Sequence, residues 1–187
     1  MEERLERTLA YHCAPALAGL KAANLIGLSR GEYPGLDGAL EDYRRAFGPK
    51  GVRFRVLCQT GERVLVLVYR PDLLARALGQ PLARQLLARA GYPAGSVEEL
   101  LAVLGGRLAA GQGSFPHEIG LFLDYPPEDV EAFARWGGKG CKLCGHWKVY
   151  HDPEGALRRF ERYDRCRDTL CSRLSQGVSL IRMFCAA

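Results

Sequence analysis

The chain has 187 residues, 48% hydrophobic and 25% charged, enough apolar material for a full core without disulfide or metal staples. Much of its net charge of +5 lies between Arg158 and Arg182, but basic and acidic residues mix there at helical spacing, as on a solvated helix face, which argues against a nucleic-acid partner. No apolar run nears the roughly 20 residues that span a bilayer, and Met1-Glu2-Glu3-Arg4-Leu5-Glu6-Arg7 lacks a signal peptide's apolar segment, so the expectation is one cytoplasmic domain over residues 1–187 with no membrane partner.

Leu5 to Leu28 reads as helical with an interruption at Cys13-Ala14-Pro15, because Pro15 suits the first turn of a new helix, where its missing N–H leaves nothing unpaired. Leu17, Leu20, Asn24 and Leu28 then recur at about 3.6 residues. Arg30-Gly31-Glu32-Tyr33-Pro34-Gly35 is a turn, and Leu36 to Phe47 a short helix closed by Gly48-Pro49. The β-branched runs Val52 to Gln59 and Arg63 to Arg70, joined by Thr60-Gly61-Glu62, predict an antiparallel hairpin. Pro71 opens a helix through Leu78, and Pro81 opens another that ends at Gly91-Tyr92-Pro93. Ser96-Val97-Glu98-Glu99 is a capping box for a helix that runs to about Ala110.

Beyond Gly111-Gln112-Gly113-Ser114, the apolar run Glu118 to Leu123 reads as a buried strand with His117 held at its start. The glycines of this connection, like Gly105-Gly106, carry no phosphate-loop pattern. Pro127 to Arg135 is a helix with Glu128 and Asp129 in its first turn, where acid suits the dipole. Gly137-Gly138-Lys139-Gly140 links it to an apolar piece, Trp147 to Tyr150, before a final helix from Pro153 to about Leu174. The class is α+β: a small, mostly antiparallel sheet with helices packed on it.

Seven cysteines are many for a reducing compartment, where the choices are buried thiols, metal ligands or reactive thiolates. Burial suits several of them, among them Cys58 on its alternating strand. Cys13, read as preceding a helix, would have its thiolate stabilised by the dipole and by unpaired N–H groups. His117 would be its general base, with Glu118, Asp124 or Asn24 orienting the imidazole. The order of cysteine then histidine is papain-like in arrangement, and the reaction would be acyl transfer or amide cleavage. No papain-type motif surrounds Cys13.

Cys141-Lys142-Leu143-Cys144-Gly145-His146 offers a second chemistry. Two thiols at this spacing chelate zinc or iron if Cys166, His146 or His151 complete the set. Haem attachment is disfavoured by the position of His146, and a thioredoxin-like pair by the glycines before and the strand after. A metal or redox cofactor held by Cys144, Cys166 and His146 is therefore the alternative to the Cys13–His117 enzyme. A structural interaction module is the third reading.

Three stretches carry a resemblance. Cys13-Ala14-Pro15 with Leu17-Ala18-Gly19-Leu20-Lys21, Phe115-Pro116-His117-Glu118-Ile119-Gly120 running into Tyr125-Pro126, and Cys144-Gly145-His146-Trp147-Lys148-Val149-Tyr150 with Tyr163-Asp164-Arg165-Cys166 resemble the motifs of an uncharacterised bacterial family catalogued only as a domain of unknown function. The resemblance implies an intact domain, and it implies that Cys13, His117, Glu118, Cys144 and Cys166 fall within family motifs, whereas Cys141 does not clearly match. Relatives are often encoded near flavodoxin or ferrous-iron uptake genes in anaerobic bacteria, which implies a redox or iron-handling partner.

Overall fold

Pro15 does not start a helix. In a computed structural model, which describes residues 2–111 and 115–185, α1 runs unbroken over Glu2–Leu17 and Pro15 lies in its last turn. Gln112, Gly113 and Ser114 of the glycine-rich connection fall outside the described residues, as do Met1, Ala186 and Ala187. A proline this late costs only one internal hydrogen bond, because the helix is about to end. The end is closed by the next residues, with the N–H groups of Ala18, Gly19 and Leu20 on the carbonyls of Ala14, Ala16 and Pro15, and by side chains from outside the helix. Asn24 Oδ1 accepts the Ala16 N–H at 3.1 Å, and the Arg70 guanidinium donates to the carbonyls of Ala16 (2.8 Å) and Leu17. A cation on the last carbonyls also suits the helix dipole.

The stretch read as the rest of that helix is instead β1, Ala23–Ser29. Gly19 at φ 74° breaks the chain direction first. The spacing of Leu20, Asn24 and Leu28 fits a helix in isolation, but β1 pairs antiparallel with β3 along its whole length, from Ala23 opposite Tyr69 to Ser29 opposite Arg63. Next come α2 (Leu36–Phe47), a 3₁₀ turn (Gly48–Lys50), β2 (Arg53–Thr60) and β3 (Arg63–Tyr69), the hairpin that alternation predicts. β3 is the central strand of the order β1-β3-β2, with Ile26 opposite Val66 and Val66 opposite Val56.

Both faces of this sheet are covered. Ile26, Leu28, Val64, Val66 and Val68 pack with α1 and α2, while Leu67 and Tyr69 face the other way into a second core. Leu57, next to Val56 on β2, faces that second side by alternation and lies at a bulge before Cys58. The second core is roofed by α3 (Pro71–Leu78), α4 (Pro81–Arg89) and α5 (Val97–Ala110). Prolines stand at the first positions of α3 and α4, and the capping box of α5 is complete, with Ser96 N–H donating to Glu99 Oε2 at 2.7 Å.

The segment from Glu118 to Leu123 is not a strand. Ile119–Phe122 forms a single helical turn, α6, and His117 and Glu118 lie in the turn before it. Its N–H groups bond locally, Gly120 to the His117 carbonyl and Leu121 to that of Glu118, so no sheet edge is needed. All four residues are buried, so alternation has no solvent side to mark, and a short apolar run reads the same in either conformation.

Then follow α7 (Pro127–Trp136), a small hairpin of β4 (Leu143–Cys144) and β5 (Lys148–Val149), α8 (Pro153–Ser175) and α9 (Leu180–Cys185), a helix unmarked in the sequence reading. The α+β class holds, with antiparallel pairing in both sheets. α8 packs along α1, and its charges pair along its own surface, as in Arg167–Asp164 (2.8 Å) and Arg165–Glu161 (4.0 Å). Among the described residues no helix is long and apolar enough to cross a membrane.

Candidate functional site

Between α6, α7 and the β4–β5 hairpin lies a cavity of about 410 Å³, walled by Tyr125, Val130, Phe133 and Trp147, with Phe115, His117, His146 and Lys148 also lining it. Asp129, in the first turn of α7 and only 3% exposed, ties the hairpin to that helix. Its Oδ2 accepts the Trp147 indole N–H at 2.9 Å, and its Oδ1 accepts the backbone N–H groups of Tyr150 (2.9 Å) and His151 (3.1 Å). The His151 ring nitrogen Nδ1 stands 3.2 Å from the same oxygen. A buried carboxylate with this many donors is fully met.

Trp147 is thereby fixed, stacked on Tyr125 at 5.3 Å and edge-on to Phe160 at 4.5 Å. Gly120 makes the close packing possible, since a Cβ there would lie 2.8 Å from Val130 and 3.0 Å from Tyr125. Opposite, a Cβ on Gly145 would overlap the Phe160 ring. The exposed His117 ring sits edge-on to Phe133 at 5.2 Å. His146 Nε2 lies 3.1 Å from Asp164 Oδ1, and Lys148 Nζ donates to the Gly138 carbonyl at 3.2 Å.

Glu118 turns away from this cavity. Its Oε1 takes Arg107 Nη1 at 2.8 Å and the Tyr92 hydroxyl at 3.1 Å, with the guanidinium over the Tyr92 ring. Burial, with the Glu118 charge behind it, pushes the Tyr92 hydroxyl well above its ordinary range. Asn24 is likewise engaged elsewhere, at the end of α1. No hydrogen bond among the described residues joins Cys13, Asn24 or Glu118 to His117, and α1 supplies none of the cavity's lining.

The position of Cys13 is a correction to the sequence reading. It lies about one turn from the C-terminal end of α1, not at a helix start, so no N-terminal dipole acts on it. It is fully buried, and burial pushes its thiol far above the ordinary cysteine range, against a smaller opposing pull from the Lys21 charge. The helix-start thiol and strand-start histidine that made the arrangement papain-like are both absent from the described structure.

Lys21 itself was not marked out in the sequence. It is 4% exposed, its ammonium lies 5.0 Å from the Tyr125 ring centre and 5.9 Å from that of Tyr163, and among the described residues it has no ion pair. Burial draws its pKa down to about 8, with the charges of Asp124 and Cys13 working the other way. Asp124 takes the left-handed conformation at φ 60°, and its Oδ2 accepts the Ala22 N–H at 3.0 Å. The available signal was a lysine between Leu20 and Ala22-Ala23, in an otherwise apolar stretch.

The C-terminal thiols do not gather. Cys144 is exposed on β4, while Cys166 is half-buried on α8, its thiol 3.6 Å from the Ala14 carbonyl and raised in pKa by burial. His146 faces Asp164. Among the described residues no group of three or more histidine, cysteine, aspartate or glutamate side chains is placed to hold a metal ion, so the zinc or iron set of Cys144, Cys166 and His146 has no common point. Cys58 is buried in the sheet, as its strand position predicts.

A family model described as a protein of unknown function (DUF3793) matches residues 9–184, and the chain belongs to that family. Neither a curated protein nor a solved structure matches it.

Proposed function

We propose that this DUF3793 protein binds a small organic molecule with a flat apolar body in the cavity between α6, α7 and the β4–β5 hairpin. One observation carries the reading: residues from Phe115–Gly120, from Tyr125–Phe133 and from His146–Lys148, segments separate in sequence, line one cavity of about 410 Å³. Ligand sites of roughly 300–1,000 Å³ with apolar and aromatic walls and a few polar groups are the common pattern. The walls here are largely aromatic, and beside them the lining carries His117, His146, Lys148 and the carboxylate of Asp129. Asp129 spends its hydrogen-bonding capacity on holding Trp147 and the hairpin, so it preorganises the site. His117, exposed at the lining, is the group best placed to exchange a proton with a bound molecule.

The test is a titration with phenylnaphthylamine, an uncharged flat dye whose emission rises in apolar sites. Saturable binding to one site is expected. Phe133→Ala and Phe115→Ala should each weaken it by about fivefold or more, since removing an aromatic wall forfeits apolar contact area. Neither residue is fully buried, so both variants should melt within a few degrees of wild type. Equal affinity in wild type and both variants overturns the proposal.

A further inference from the structure

Resting on that binding reading, we infer that the ligand carries an anionic group, so that the cavity takes a flat aromatic acid. Asp129, the carboxylate in the lining, has its oxygens committed to the Trp147 indole, two backbone N–H groups and the His151 ring. Asp164, behind His146, is shared between that imidazole and Arg167 at 2.8 Å. Both carboxylates are therefore already engaged by protein donors.

Donors are left over. Lys148 Nζ has three N–H groups, gives one to the Gly138 carbonyl, and has no carboxylate partner among the described residues. An ammonium in an aromatic-walled cavity without a counterion favours an anionic partner. His117 also lines the cavity, with no hydrogen bond from its ring to the protein.

A competing reading is an aromatic cage for a quaternary ammonium, which needs open ring faces. Trp147 stacks on Tyr125 at an interplanar angle of 27°, and the Tyr125 ring already has the Lys21 ammonium 5.0 Å from its centre. A second cation there would meet a first one. The facing sides of Trp147 and Tyr125 are closed to a cation.

Two dyes separate the terms: anilinonaphthalene sulfonate, and phenylnaphthylamine, which is the same ring system without the sulfonate. Wild type should prefer the sulfonate by about tenfold. Lys148→Met should shrink that ratio to within about twofold, and Lys148→Arg should restore most of it. Naphthoate, a plain aromatic carboxylate, should displace the sulfonate. If Lys148→Met fails to fold, the salt response of wild type decides, because a preference owed to a partly exposed charge falls between about 0.05 and 0.5 M salt.

Equal binding of the two dyes, or a preference untouched by both Lys148→Met and salt, overturns the anion while leaving the pocket in place. Failure of both dyes to bind at a site weakened by Phe133→Ala overturns the pocket and the anion with it.

Discussion

Lys21 holds a charged amine where only 4% of the residue reaches solvent, so its stability cost depends on pH. The folded pKa is drawn down to about 8 from 10.5, and burial is the main cause. Between those values the unfolded chain binds the extra proton, so this group's contribution makes the fold more stable as pH rises from about 8 to 10.5. Below pH 8 the penalty is fully present. Lys21→Met should therefore stabilise the protein at pH 7 by on the order of 2–3 kcal/mol. The difference between variant and wild type should close by about pH 10.5, as followed by urea unfolding across that window. Taking the difference removes the opposite trend from buried tyrosines and cysteines, which hold their protons longer when folded. A constant gap at every pH would mean that the amine is solvated after all.

At the scale of elements, two adjacent glycines in α5 should behave oppositely. A Cβ on Gly105 would lie 2.5 Å from the Leu57 carbonyl oxygen, at the bulge of β2, so Gly105→Ala must push the helix off the sheet. The expected loss is about 1–3 kcal/mol. A Cβ on Gly106 meets nothing within 4 Å, so Gly106→Ala should gain about 0.5–1 kcal/mol from helix propensity alone. Paired melting curves check both. The β4–β5 hairpin has its own lever in Asp129. Asp129→Ala would leave the Trp147 indole and two backbone N–H groups without their acceptor, at a cost of about 3–5 kcal/mol in urea unfolding. Asp129→Asn retains one acceptor oxygen and should lose less. Dye binding should fall in step with the hairpin's loosening.

For the molecule as a whole, the sequence by itself determined the elements whose hydrogen bonds and caps are local. Proline at the first turn of α3, α4 and α7, the Ser96–Glu99 box, and β-branched alternation around Thr60-Gly61-Glu62 each act within a few residues, and each reads the same in isolation as in the fold. The mixed charges of α8 are also local, since they pair one turn apart. The candidate site was half visible. His117, His146 and the Tyr125 and Trp147 segments stood out as residues, but not as neighbours. Only the tertiary structure decided that Ala23–Ser29 is a strand and Ile119–Phe122 a helical turn, because short apolar runs fit both periods and the available backbone partners choose between them. Only it decided that Cys13 lies near the end of a helix, because Asn24 on β1 and Arg70, far along the chain, bond to the end of α1 beyond Pro15. The same holds for the cavity. Asp129 bonds to residues some twenty positions later, and that carboxylate, needing donors once buried, is what brings the hairpin onto α7.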